Sequence, residues 1–311
     1  MPFSLGAFGY VTVVRVQLND RILPMSQTVI ISTKILNNHL TDPDWVVLDC
    51  RFSLAATDRG RQSYLQSHIP GASYVHLDED LSAPVIAGQT GRHPLPLVDH
   101  LAEKFSTWGI GQGVQVVVYD DYPGASGAIA ARLWWSLRYL GHDDVVLLDG
   151  GWAQWVNEVR PVMSGQETRS RKQFAPHPRA ELLATSFEIE RMQSKKDGLV
   201  IDSRSHDRYR GENETIDPVA GHIPGAISAP FTDNYGPDGL FLPAQKLNER
   251  FTNILGGVPP ERAIFYCGSG VTAGVNLIAL VHAGIGEAKL YVGSWSEWIA
   301  DPRHPVSTGL G

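Results

Sequence analysis

Short apolar runs punctuate the chain, each bounded by turn residues and followed by a longer stretch whose apolar positions return every three to four residues. Leu199–Asp202, Ala263–Tyr266 and Lys289–Val292 are runs of this kind and predict buried strands. Ala244–Leu255 and Val271–His282 carry the helical spacing between them. A strand that is apolar at successive positions, rather than at alternate ones, has both faces covered. Such strands alternating with helices predict an α/β fold, a parallel sheet flanked by helices. In sheets of this type ligands bind beyond the carboxyl ends of the strands.

The pattern is written twice. Val46–Arg51 (VVLDCR) matches Leu199–Arg204 (LVIDSR), and Ser67–Val75 (SHIPGASYV) matches Gly221–Ala229 (GHIPGAISA). The run from Val116 (VVVYDDYPGASG) matches that from Ala263 (AIFYCGSGVTAG), and Gly150–Trp155 (GGWAQW) matches Gly293–Trp298 (GSWSEW). Landmarks in one order at so long a period mean a duplicated domain rather than a solenoid. The expected division is a flexible N-terminal extension over residues 1–24, ahead of Met25, then a first domain over 25–158. A polar, proline-broken linker over 159–180 and a second domain over 181–311 complete it. Thr185-Ser-Phe-Glu188 reads as a capping box opening the second domain's first helix.

Cys267 ends the strand at Ala263–Tyr266 and opens a glycine-rich turn into a helix. Gly268 and Gly270 let successive backbone N–H groups converge on one point, and the helix N-terminus adds its positive end. Both favour thiolate over thiol, so the position suits a nucleophile better than a core residue. The phosphatase pattern needs an arginine six residues after the cysteine to bind phosphate, and Ala273 stands there. Cys50 ends the first strand where the second copy has Ser203, and reads as inert.

Composition narrows the partners. Twenty-six basic and 33 acidic residues leave a net charge of −7, which favours neither nucleic acid nor a membrane surface. No apolar run approaches the ~20 residues that cross a bilayer. Two cysteines are too few for a disulfide framework and fit a reducing cytoplasm. Neither has metal-ligand spacing, so no metal and no cofactor is expected. Trp134, Trp135, Trp152, Trp155, Trp295 and Trp298 fall at helical or repeated positions and read as core.

The doubled domain, the two HIPGA segments, CGSGVTAG and GSWSEW resemble the tandem-domain rhodanese sulfurtransferases from about Ile31 to Pro305. The resemblance implies two rhodanese-like domains with one active site, in the second, facing the interface. Asp120 stands where the first copy would carry its cysteine, which implies a structural and substrate-shaping role for that copy. It implies that Cys267 takes sulfur from a small-molecule donor as a persulfide and passes it to a thiol, thioredoxin among the candidates, or to cyanide. Gly268, Ser269, Gly270, Val271 and Thr272 would hold the anionic group.

The loop CGSGVT resembles the 3-mercaptopyruvate branch, where the residue matching Ser269 assists proton movement with a histidine and an aspartate of the first domain. His68 and Asp58 take those places in this reading; the competing reading of His68 is structural, because His222 repeats it. Arg208 matches the family's substrate arginine and Arg210 lies beside it, while Asp217 stands where a second arginine is expected. That departure leaves a thiosulfate-preferring enzyme open, and a carrier or redox-sensing module that loads once is the reading from another class. Arg92 and His93, in GRHPLP, either border the interface pocket or form a surface loop. Asp49–Arg51 and Asp202–Arg204 recur in both copies, as fold-maintaining pairs do.

Overall fold

The computed structural model describes residues 15–18, 21–24 and 29–310. Strands β1 (Arg15–Leu18) and β2 (Arg21–Pro24) form an antiparallel hairpin. The rest of the N-terminal extension expected over 1–24 lies outside the described residues.

Two five-stranded parallel sheets follow. The first contains β3 (Ile30–Ile31), β4 (Trp45–Asp49), β5 (Ala72–Tyr74), β6 (Gln115–Tyr119) and β7 (Val145–Leu148), in the order β3-β7-β6-β4-β5. The second contains β8 (Leu183–Ala184), β9 (Leu199–Asp202), β10 (Ile227–Ser228), β11 (Ala263–Tyr266) and β12 (Lys289–Tyr291), in the equivalent order β8-β12-β11-β9-β10. The central strands β6 and β11 are buried almost throughout, as their unbroken apolar sequences require. Among the described residues no helix is long and apolar enough to cross a membrane.

Helices α1 (Thr33–His39), α2 (Arg59–Gln66), α3 (Leu77–Asp80), α4 (Val98–Thr107), α5 (Ala130–Tyr139) and α6 (Gly151–Asn157) accompany the first sheet. Helices α7 (Ser186–Lys195), α8 (His206–Arg210), α9 (Ala244–Leu255), α10 (Ala273–His282) and α11 (Ser294–Trp298) accompany the second. Thr185 caps α7 by accepting from the Glu188 N–H at 3.3 Å, whereas the Glu188 carboxylate pairs with Lys289 at 2.6 Å. Only half of the expected capping box forms. Helix α10 starts at Ala273 instead of Val271, because the two preceding residues serve the cysteine loop.

The equivalent helices α5 and α10 pack on each other, and residues Ala273 to Leu280 are all buried. At the crossing, a Cβ on Gly274 would lie 2.9 Å from both the Cβ and the carbonyl oxygen of Ala131. One apolar core runs from Val116 and Leu133 of the first domain to Val275 and Leu290 of the second. Each fully buried Val, Leu or Ile contributes about 1.5–3 kcal/mol, so this boundary is a fused core. The linker lies along the first domain: Met163 and His68 exchange backbone hydrogen bonds of 2.9 Å, and Phe174 packs edge-on against Phe105.

Candidate active site

Cys267 follows the last residue of β11 and is only 1 % exposed. Burial alone would push its thiol up. The Thr272 hydroxyl and the N–H groups of Ala273, Ser269 and Val271 donate to the sulfur, and together they outweigh burial and lower its pKa. The loop shape needs glycine at 270, where φ is +70° and a Cβ would meet the Val292 carbonyl oxygen at 2.1 Å. The closing GSWSEW segment fixes the loop: Ser294 Oγ accepts the Cys267 N–H at 3.1 Å, and the N–H groups of Trp295 and Ser296 donate to the carbonyls of Cys267 and Gly268 at 3.0 and 2.9 Å.

The first domain completes the site. Ser269 Oγ lies 2.8 Å from Nδ1 of the buried His93, whose Nε2 lies 3.2 Å from an Asp78 oxygen. A carboxylate only accepts, so Nε2 carries the proton and Nδ1 accepts the serine hydroxyl. Burial lowers the His93 pKa against the pull of Asp78, while His93 holds Asp78 below its ordinary value. Arg132 of α5, fully buried, donates to the carbonyls of Gly270 (2.9 Å), His93 (3.1 Å) and Leu81 (3.3 Å). Burial brings its guanidinium down to about 10 while the nearby sulfur opposes the fall; it remains a cation beneath the cysteine loop.

Cys267, Ser269 and His93 open on a cavity of about 570 Å³ between the domains. Phe52, Tyr122, Ile129 and Phe231 give it apolar walls, and Arg92, Arg204 and Arg208 a cationic side. Arg208 meets Glu214 through Nε and Nη2 at 3.0 and 2.9 Å and Asp217 at 3.0 Å. Arg204 is occupied by Asp202 at 2.7 Å, as Arg51 is by Asp49, which fits the fold-maintaining reading of both pairs.

Three expected site residues lie elsewhere. His68 does not reach Ser269: its Nδ1 bonds the Tyr64 carbonyl at 2.7 Å and its ring stacks on Tyr64. His222 repeats both contacts with Tyr209. The HIPGA histidine ties its own segment to the preceding helix in each domain. Asp58 is exposed at the start of α2, and Arg210 pairs with Glu212 at 2.7 Å away from the cavity. Asp58 does gather with His76 and Glu79, but His76 Nδ1 accepts the Asp78 and Glu79 N–H groups, so its Nε2 bears a proton and no lone pair for a metal. The sequence pattern does not single out His93, Asp78 and Arg132 for these roles; the signal for His93 is that the second copy's equivalent of GRHPLP, Gly239–Pro243 (GLFLP) ahead of α9, carries neither its arginine nor its histidine.

Asp120, the counterpart of Cys267, is fully buried and accepts N–H bonds from Tyr122, Gly127, Ile129 and Ala130 at 2.7–3.2 Å. The first loop is still an anion cradle, filled by its own carboxylate. Burial, then Asp120, Asp49 and Asp80, push the Cys50 thiol up, which suits an inert residue.

Two copies of one parallel α/β fold, with a thiolate-favouring loop kept only in the second, define a tandem-domain protein with a single cysteine centre. The chain belongs to the rhodanese family: the rhodanese-like domain matches residues 32–158 and 186–301. It is 48% identical over 286 residues to a protein of Pseudomonas aeruginosa assigned as a 3-mercaptopyruvate sulfurtransferase, covering 92% of this chain and 100% of that one. A Mycobacterium tuberculosis protein assigned as a thiosulfate sulfurtransferase is 39% identical, over 85% of this chain and 90% of its own. The solved 3-mercaptopyruvate sulfurtransferase from Leishmania major superposes with a TM-score of 0.76 at 28% identity, over 88% of this chain and 74% of that one.

Proposed function

We propose that the protein is a sulfurtransferase that moves sulfur from 3-mercaptopyruvate through a persulfide on Cys267 to a thiol or cyanide. The observation that carries the choice of donor is the Ser269–His93–Asp78 chain beside the sulfur, at 2.8 and 3.2 Å. Mercaptopyruvate arrives with a thiol proton and leaves as pyruvate with a new C–H bond, so its reaction needs a group that relays a proton. Thiosulfate transfers sulfur with no proton to move, and the relay would be idle.

In the first half-reaction the Cys267 thiolate attacks the donor sulfur. An S–S bond forms, the S–C bond breaks, and its electron pair goes to the methylene carbon as the enolate of pyruvate. Ser269 protonates that carbon and recovers its proton through His93, which takes up the proton the donor thiol gives up. Pyruvate leaves, and the persulfide anion rests on the Thr272 hydroxyl and the loop amides. In the second half-reaction the acceptor attacks the outer sulfur and the thiolate returns. Arg208 takes the donor carboxylate.

Mass spectrometry of the protein incubated with each donor tests the proposal. One added sulfur on Cys267, absent in Cys267→Ser, is expected with mercaptopyruvate. No adduct from either donor refutes the reading, and a single load without turnover when acceptor is supplied makes the protein a carrier.

A further inference from the structure

The loop that supplies Arg208 has a carboxylate, Asp217, where a second arginine is expected, and Gly268 puts no cation beside Cys267. Both places are served from the other domain. Arg92 reaches in from the first domain and pairs with Asp217, which also binds Arg208 at 3.0 Å. One buried carboxylate thus holds two guanidiniums. A Cβ on Gly268 would lie 2.8 Å from Arg92 Nη2 and 3.7 Å from both terminal nitrogens of Arg208. The two cations therefore stand over the residue that follows the nucleophile.

The loop that brings Arg92 there is built for its position. Gly91 approaches the second domain so closely that a Cβ would meet the Gly293 carbonyl oxygen and Ser296 Oγ, each at 2.6 Å. The Arg92 N–H donates to that same Ser296 Oγ at 3.1 Å. Ser296 in turn fixes the Gly268 carbonyl through its own N–H. Arg92 and the cysteine loop are thus pinned to one residue. Arg92 Nε is buried with no hydrogen-bond partner among the described residues, and its side chain is 28% exposed, on the cavity side.

We propose that Arg92 is the second donor-binding arginine: with Arg208 it takes the anionic end group of the sulfur donor, and Asp217 is the positioning carboxylate that spaces the pair. The charge expected in the second domain's loop has changed places with a carboxylate across the domain boundary. The chemistry is shared by a carboxylate, as in mercaptopyruvate, and a sulfonate, as in thiosulfate, because both offer two coplanar or near-coplanar oxygens to a planar fork. The proposal rests on the sulfurtransferase reading and goes beyond it, since that reading needs only Arg208.

The test measures the two half-reactions separately in the full chain, for wild type, Arg92→Gln, Asp217→Asn and the exchange Arg92→Asp with Asp217→Arg. Arg92→Gln is expected to raise the donor KM at least tenfold. Cyanide should discharge preloaded Cys267 persulfide at the wild-type rate, and the acceptor KM should stay put. The exchange variant is expected to recover a good part of the loss, which a merely structural ion pair would also do for melting temperature but not for donor KM. A loss confined to mercaptopyruvate or to thiosulfate supports the proposal and names the end group. Arg92→Gln that keeps the donor KM within about twofold for both donors overturns it, whatever happens to stability; the pair is then a strut between domains. Wild type that accepts no sulfur from either donor overturns the sulfurtransferase reading itself, and is told apart because the failure precedes any substitution.

Discussion

Thr272→Val isolates one of the four groups that keep the Cys267 sulfur anionic. Valine matches threonine in shape and replaces only the hydroxyl, which leads the hydrogen bonds that oppose burial at this sulfur. A hydrogen bond to a charged group contributes about 1.5–3 kcal/mol, a factor of about 10 to 150 in thiolate fraction at a pH where the thiol form prevails in the variant. The sign follows from which form is stabilised: losing a donor to the thiolate moves ionisation to higher pH. A more basic thiolate is intrinsically more nucleophilic, with a Brønsted slope of about 0.5, so the net fall in alkylation rate is roughly the square root, about 3- to 12-fold. The assay is the pH dependence of iodoacetamide alkylation of Cys267, in a background where buried Cys50 serves as the unreactive control. Thr272→Ser should restore most of the wild-type profile. Superimposable profiles for Thr272→Val and wild type would refute the claim that this hydroxyl supports the thiolate.

Three other substitutions address separate links. His93→Gln should reduce mercaptopyruvate turnover by about 10²–10⁴-fold while thiosulfate turnover changes little, read as kcat/KM for each donor; equal losses would leave the relay without a role. In wild type, burial holds His93 neutral down to below its ordinary pKa, so mercaptopyruvate activity relative to thiosulfate activity should fall when acid protonates Nδ1 and removes the acceptor for Ser269. A pH–rate profile locates that limb below about pH 6.5, and a limb on the alkaline side instead would contradict the tautomer. His68→Gln should lower stability by about 1–2 kcal/mol in denaturant titration with kcat unchanged, because the ring holds Tyr64 rather than the cavity. Gly274→Ala should cost about 1–3 kcal/mol by overpacking against Ala131, and an unchanged midpoint would mean that α5 and α10 pack less tightly than their contact implies.

The strands and helices were legible because burial on two faces leaves an unbroken apolar signature, and Ala244–Leu255 appears with the ends the pattern predicted. The cysteine loop was legible for a related reason: a glycine that accepts φ +70° against a carbonyl oxygen cannot be exchanged without rebuilding the turn. What failed was the choice of partners for Ser269. His68 attracted the assignment through a conspicuous motif, yet that motif is present in both domains, and His222 shows that it serves the fold in each. His93 lies 176 residues from Ser269 along the chain and meets it only because α5 and α10 fuse the two domains. No local pattern encodes that meeting. Subtracting one copy from the other does, since residues that serve the fold recur and those that serve a single site do not.

The same subtraction explains why the first domain remains without a cysteine. Its loop still gathers four N–H donors on one anion, but the anion is the Asp120 carboxylate, tethered and unable to leave. A cradle filled from within bonds the N–H groups of Ile129 and Ala130 at the start of α5, from which Arg132 reaches the Gly270 carbonyl. His93 and Asp78 extend from the same domain to Ser269. The second cradle holds a sulfur whose charge can be shared with a transferred atom, so its loop must be shaped without being filled. Duplication thus divides the labour: one copy fills its anion site with its own carboxylate, and its side chains His93, Asp78 and Arg132 are set around the cysteine loop of the other. An Asp120→Ala chain would keep Cys267 and every residue that faces it, and its expected defect, slower transfer at Cys267 through a loosened α5, would show that a site with no substrate of its own still governs the rate at its twin.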